Sequence, residues 1–462
     1  MRIVLSIVII VLGMAPAAQA QDGAKRQRPN VIIFLADDLG YADIGAHGTL
    51  KDLKTPNIDA IAAGGVRFTN GYVTCPVCAP TRAALLTGRY QQRFGFEQNP
   101  SPQTPPGYGL PDDQVLLAKV LKDAGYATGM FGKWHLGFEE SQHPMSQGFD
   151  EFFGFLAGAH GYFDVGDGKN AVLRGREPAE KVTYLTDDLA REASAFVDKH
   201  SKGETPFFLY VPFSAVHTPM DVTPKYLERF PDVSDPKRQQ LLGMLSAMDD
   251  AVGQVMERVR AAKQEENTLV FFLSDNGGPT QGNASRNDPF SGFKNNVREG
   301  GIRVPFAVQW KGAIPAGKTY EKPVSSLDIF PTVLAAAGAK QPEKQPTDGI
   351  DLVPFVTGKK GDDARPHDTL YWRYGEKWAV RDGDMKLTHA EAGPAKLFDL
   401  ANDPAEANDL AQSKPEVRKQ LRAKYDAWSA TLMEPRWTDR REKPLGPGRR
   451  GAGTTTAPAN QE

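Results

Sequence analysis

Val31-Ile32-Ile33-Phe34-Leu35, running on into Ala36-Asp37-Asp38, decides the fold class. Five consecutive branched, aliphatic and aromatic residues without a polar interruption suit a strand buried on both faces of a parallel sheet. Phe207-Phe208-Leu209-Tyr210-Val211 and Leu269-Val270-Phe271-Phe272-Leu273 repeat that character. Helical periodicity fills the intervals. Leu117, Val120, Leu121 and Ala124 share one face and stop at Gly125, while Leu241, Leu245, Met248, Val252, Val255 and Val259 step by fours and threes. Strands alternating with helices imply an α/β fold in which helices cover a mostly parallel mixed sheet.

The texture changes beyond Pro366. Tyr371-Trp372-Arg373-Tyr374, Trp378-Ala379-Val380-Arg381 and Met385-Lys386-Leu387-Thr388 are short alternating runs separated by Gly-Glu and Asp-Gly-Asp, as antiparallel hairpins require. An amphipathic segment, 415–432, would cover one face of them. The expected organisation is a large unit over 21–365, a smaller α+β subdomain with an antiparallel sheet over 366–439, and a tail over 440–462 too poor in apolar residues to fold. Residues 1–20 read as a secretory signal: Arg2, an apolar run from Ile3 to Leu12, then the small residues Ala15, Ala17, Ala18 and Ala20. A secreted or periplasmic protein follows, with no membrane span once the signal is cleaved.

Composition narrows the partners. With 55 Lys and Arg against 57 Asp and Glu, the chain has no field to hold nucleic acid or an anionic membrane, so an anionic ligand must be caught locally. Two cysteines are too few for a disulfide scaffold. In open α/β sheets ligands bind beyond the carboxyl ends of the strands. There the first strand runs into Asp37 and Asp38, the third into Asp275 and Asn276, and the second reaches His217 within a few residues. The four oxygen-bearing residues could cap helices or turn loops. Two such pairs after two buried strands favour a hard divalent cation such as Ca²⁺ or Mg²⁺.

Cys75-Pro76-Val77-Cys78-Ala79-Pro80-Thr81-Arg82 continues to Thr87-Gly88. Read as C-x-x-C, it offers a redox pair or a small disulfide between Cys75 and Cys78. Read from Cys78, it matches C-x-P-[ST]-R-x-x-x-x-T-G, and the protein resembles the sulfatases of the alkaline phosphatase superfamily. Further blocks resemble that family in order: Thr55-Pro56-Asn57, Gly132-Lys133-Trp134-His135-Leu136-Gly137, Ser274-Asp275-Asn276-Gly277, Glu299-Gly300-Gly301-Ile302-Arg303, and Leu397-Phe398-Asp399-Leu400 through Glu406.

The resemblance implies an alkaline phosphatase-like core and the hydrolysis of sulfate esters. It implies that Cys78 is converted to formylglycine by a formylglycine-generating or anaerobic sulfatase-maturing enzyme. The hydrated aldehyde would attack sulfur, form a covalent sulfo-enzyme, and expel sulfate by collapsing to the aldehyde. One Ca²⁺ would be held by Asp37, Asp38, Asp275 and Asn276, with residue 78 in contact. Arg82 would hold the hydrate and an acidic ligand. Lys133 and His135, two apart on an extended segment, would point into the site; His217 would protonate the leaving oxygen and Lys294 would reach the sulfate. Arg89 through Gly95 resembles sulfatases acting on sulfated galactose or N-acetylgalactosamine, so a sulfated carbohydrate is the expected substrate, with Arg93 and His160 as candidate sugar contacts.

Other readings stay open on sequence alone. A phosphodiester or phosphonate ester hydrolase of the same superfamily could use a similar cradle, and an inactive relative could bind glycans through calcium without chemistry.

Overall fold

The computed structural model describes residues 28–438. The segment read as a signal and the tail from 440 lie outside the described residues. Ten strands form one sheet in the order Lys318–Tyr320, Val66–Phe68, Phe306–Gln309, Thr268–Ser274, Asn30–Ala36, Phe207–Pro212, Ala127–Lys133, Glu151–Phe155, Val172–Arg174, Glu177–Pro178. The three strands expected from the sequence sit together at the centre. Asn30–Ala36 pairs in parallel with both neighbours, Ile33 lying opposite Tyr210 on one side and Phe271 on the other. Ala127–Lys133 and Glu151–Phe155 extend the parallel set. Phe306–Gln309 runs antiparallel to Thr268–Ser274 and to Val66–Phe68, which makes the sheet mixed.

Strand alternation divides the central run between two cores. Ile32 and Phe34 pack with Leu189, Ala193, Leu245 and Met248, from helices Leu185–His200 and Pro236–Ala261. Val31, Ile33 and Leu35 pack with Ala83, Leu86, Leu121 and Val333, from helices Cys78–Thr87, Leu117–Asp123 and Ile329–Ala337. Fully burying one such side chain is worth roughly 1.5–3 kcal/mol, and the strand stays apolar from Val31 until the chain leaves the sheet at Asp37.

Thr369–Tyr374, Lys377–Asp382, Met385–His389 and Lys396–Asp399 form the expected four-stranded antiparallel sheet. Gly375 (φ 56°) and Gly383 (φ 57°) supply the left-handed positions of its first two turns. The helix Pro415–Ser429 lays Leu421, Tyr425 and Trp428 on Trp378, Val380 and Leu387. It ends three residues before the periodicity of 415–432 suggested. The chain then returns to the large unit: the Met433 and Arg436 amides donate to the Gln92 and Gly95 carbonyls at 3.2 and 2.9 Å, and Trp437 packs on Phe96. Residues assigned by sequence to the small subdomain thus brace the large one. Among the described residues, no helix is long and apolar enough to cross a membrane.

Candidate active site

The carboxyl edge of the sheet gathers the polar residues. Asp37 and Asp38 follow Ala36, Asp275 and Asn276 follow Ser274, and Lys133 ends its own strand. His217 lies five residues beyond Pro212. Asp37, Lys133, Asp275 and Asn276 are all completely buried. Asp38 adopts a left-handed backbone (φ 63°), a conformation that Asp tolerates better than most residues and that turns the chain sharply where it leaves the sheet.

Cys78 is the first residue of the helix Cys78–Thr87, after extended Val77. The Thr81 hydroxyl donates to the Cys75 carbonyl at 2.9 Å and closes the loop, while the Ala79 amide donates to Asn99 Oδ1 at 3.0 Å. Both cysteines are buried, and among the described residues no disulfide joins them. One helical turn on from Cys78, buried Arg82 donates through Nε and Nη2 to Asp275 Oδ2 at 3.0 and 2.7 Å, and through Nη1 to the Lys133 carbonyl at 2.9 Å. Its guanidinium also lies 3.5 Å from Asp37. Lys133 Nζ donates to Asp37 Oδ2, and Lys294 Nζ pairs with Asp38 Oδ1 at 2.7 Å. Three carboxylates therefore face three fixed cations.

This balance sets the protonation states. Burial works to raise the Asp37 carboxyl, but Lys133, His217, Arg82 and Lys294 together hold it well below the usual carboxylate range. Burial and the charges of Asp275 and Asp37 push the Cys78 thiol well above its ordinary value, so it stays protonated. Burial, with Lys133 and Arg82, drives His135 well below the ordinary histidine value, leaving a neutral imidazole. His217 is also lowered, burial outweighing Asp37 and Asp38.

The donor set suits a hard divalent cation. Ligand atoms of Asp37, Asp38, Cys78 and His217 lie within 4.8 Å of one another. Asn276 donates through Nδ2 to Asp38 Oδ1 at 2.7 Å, yet its Oδ1 is buried with no hydrogen-bond partner among the described residues. An orphaned buried acceptor costs about 1–3 kcal/mol, and a cation would relieve it. The sequence-based set needs one adjustment. Asp275 Oδ2 is committed to Arg82, leaving Oδ1, which accepts only a long 3.3 Å bond from the Asp38 amide. His217 stands where that set had no member.

The remaining candidates divide. His135 reaches the site, but not along an extended segment as expected: the strand ends at Lys133 and His135 is left-handed (φ 63°). Its ring fits because position 158 is glycine; a Cβ there would come 2.4 Å from Nε2. Its Nδ1 is buried without a hydrogen-bond partner among the described residues. His217 Nδ1 donates to the Thr218 carbonyl at 2.6 Å, which leaves Nε2 facing Asp38 Oδ2 at 3.6 Å. His160 and Arg93, expected as sugar contacts, both have partners within the protein. Both His160 nitrogens lie on carbonyls of its own loop, Gly161 at 2.6 Å and Val165 at 3.2 Å. Arg93 is clamped on Asp348 at 2.6–2.9 Å. Sequence reasoning missed Tyr162, whose hydroxyl donates to the His217 carbonyl at 3.1 Å, and Asn283, whose Nδ2 bridges the Asp38 and Val216 carbonyls at 3.2 and 3.1 Å. A lone Tyr or Asn in a loop carries no sequence signal for such a task.

A family model described as Sulfatase matches residues 29–339, and one described as N-sulphoglucosamine sulphohydrolase, C-terminal, matches residues 293–430. Arylsulfatase G of Rattus norvegicus is 34% identical over 457 residues, covering 85% of each chain. N-acetylgalactosamine-6-sulfatase of Sus scrofa is 36% identical over 468 residues, covering 89% of this chain and 87% of that one. The crystal structure of Ps i-CgsB in complex with k-i-k-neocarrahexaose aligns with a TM-score of 0.84 at 36% identity, over 89% of this chain and 95% of that one.

Proposed function

The chain belongs to the sulfatase family and is a sulfuric ester hydrolase, and from that premise we propose that it removes sulfate from a glycan outside the cytoplasm, using formylglycine made from Cys78 and one bound Ca²⁺. Galactose or N-acetylgalactosamine sulfates are the substrates of choice, a reading supported by what an N-acetylgalactosamine-6-sulfatase and a neocarrahexaose complex are named for. The signal-like leader supports the location, and a formylglycine-generating or anaerobic sulfatase-maturing enzyme would be the partner in biogenesis.

The observation that carries the mechanism is Cys78, buried with its Sγ 3.5 Å from Asp37 Oδ1. An unmodified thiol held neutral by burial and by Asp275 and Asp37 is a poor nucleophile. Formylglycine at this position would supply a hydroxyl nucleophile and Ca²⁺ would supply positive charge beside it. Asp37, Asp38, Asp275 and Asn276 would hold the ion. Arg82 spends its donors on Asp275 and the Lys133 carbonyl, so its task is to fix a ligand and the strand end. Lys133 and Lys294 bring the remaining fixed charge against Asp37 and Asp38, where sulfate oxygens need neutralising. Neutral His135, with Nδ1 open, can take the proton of the attacking hydroxyl. His217, its side chain 16% exposed and its Nε2 turned to Asp38, would serve as the acid for the leaving oxygen, with Asp38 favouring its charged form.

Peptide mass spectrometry of the segment around Cys78, on protein from its native host, together with turnover of matched sulfate and phosphate esters, tests this reading. The expected result is an aldehyde at residue 78, sulfate cleaved faster than phosphate, and no turnover by Cys78→Ala. An intact thiol in a fully active enzyme, or faster phosphate cleavage, would refute it.

A further inference from the structure

We propose that Glu406, from the C-terminal subdomain, is a positioning residue that staples both ends of the loop presenting Lys294 to the active site. The inference rests on the reading of Lys294 as a sulfate-contacting group and goes beyond it, because Glu406 itself touches no group of the site.

The loop leaves its neck at Ser291 and returns at Glu299, the first residue of the short helix Glu299–Ile302. One oxygen grips both ends: Glu406 Oε2 accepts from the Ser291 hydroxyl at 3.1 Å and from the Glu299 amide at 2.8 Å. The Gly300 amide donates to the Ser291 carbonyl at 2.7 Å and completes the neck. The far end of the loop is functional. Lys294 Nζ reaches Asp38 at 2.7 Å, and the Asn295 amide donates to the Pro76 carbonyl at 2.9 Å, two residues before Cys78. The neck therefore sets where Lys294 falls.

The staple is itself locked. Lys386 Nζ lies 2.9 Å from Glu406 Oε1 and 2.8 Å from Glu299 Oε1, with all three side chains fully buried. Tyr72 and Arg303 hold the second Glu299 oxygen. Glu406 also has a left-handed backbone (φ 55°), unfavourable for a residue with a side chain. Apolar residues of similar volume could fill this space with equal or greater stability. They could not hold the two ends of a catalytic loop, a serine hydroxyl and a backbone amide, with one atom. The subdomain sheet thus reaches the chemistry through Lys386 on its Met385–His389 strand and Glu406 just beyond its last strand.

A double-mutant cycle on the full-length enzyme tests the assignment, with an aryl sulfate as substrate and inorganic sulfate as competing ligand. Glu406→Ala should raise KM and the sulfate inhibition constant by about 10–100-fold, as for loss of an outer partner at a charged site. The same substitution in a Lys294→Ala background should change either constant by less than about twofold. A merely structural role would multiply through both backgrounds, and that result would overturn the staple alone. If Lys294→Ala loses nothing, the reading of Lys294 and the staple fall together. Should Glu406→Ala fail to fold, Ser291→Ala removes one of the two gripped ends. It should show a smaller loss that vanishes in the Lys294→Ala background, and parental behaviour would overturn the proposal.

Discussion

Arg82→Met is the perturbation whose magnitude the structure defines best. Both side chains of the Arg82–Asp275 pair are completely buried, and Arg82 places two bonds on Asp275 and one on the Lys133 carbonyl. Methionine fills most of the volume but leaves Asp275 without its counter-charge and removes a cation 3.5 Å from Asp37. Stranding one partner of a buried ion pair costs about 3–5 kcal/mol. At roughly 2 °C per kcal/mol, the low end for large domains, the apparent Tm should fall by about 6–10 °C. The double variant Arg82→Met/Asp275→Asn removes both charges while keeping an acceptor near the Asp38 amide, and should recover about half of that loss or more, because the penalty is for the unpaired charge. Turnover should stay lost in both. Differential scanning calorimetry beside an aryl sulfate assay separates the effects. A single variant within a degree of the parent, or a double variant no more stable than the single, would show that the pair is not what holds these strand ends together.

Three further outcomes are expected. Asn276→Ala removes the orphaned acceptor and should weaken Ca²⁺ binding by about tenfold or more; an unchanged calcium midpoint in isothermal titration would count against Asn276 as a ligand. His217→Ala should slow esters with poor leaving groups far more than activated aryl sulfates, which scarcely need a proton, and a flat dependence on leaving-group pKa would remove its role as acid. His367 sits 2.7 Å from buried Asp328, and although burial opposes it, that carboxylate raises the imidazole above its ordinary value. A raised pKa means that the contribution is fully present below the ordinary value of about 6.5 and is lost as pH climbs through the folded one. His367→Gln should therefore lower Tm clearly at pH 5.5 and little at pH 9, and an equal drop at both would sink the linkage.

The centre of the sheet was legible because its strands carry their signal locally. A five-residue apolar run has few alternatives, and the polar residues that end it must lie at the carboxyl edge, so Asp37, Asp38, Asp275 and Asn276 followed. Lys133 and His135 were both placed in the site, but by the wrong local geometry, since one glycine, Gly158, makes the room for a left-handed histidine. Arg93 and His160 have internal partners that the sequence did not foretell. An arginine beside a signature helix looks available until Asp348, far along the chain, takes its fork. A histidine in an aromatic loop looks like a sugar contact until the loop folds back onto both nitrogens.

The same blindness explains Glu406. In Asp403-Pro404-Ala405-Glu406 nothing local marks its task, and only the tertiary fold buries it to 3% exposure beside Lys386. Yet the need for such a residue follows from the site's electrostatics. Three carboxylates at two strand ends repel one another until Arg82, Lys133 and Lys294 arrive, and those cations come from a helix, another strand and a loop. Arg82 and Lys133 are held by elements of the large unit's core. Lys294 rides on a loop with no helix or strand of its own, held by single bonds such as that of the Asn295 amide to the Pro76 carbonyl, and the C-terminal subdomain adds the atom that joins its two ends. On this argument the subdomain belongs to the catalytic machinery, and loosening its grip should change how the enzyme holds sulfate before it changes how the fold melts.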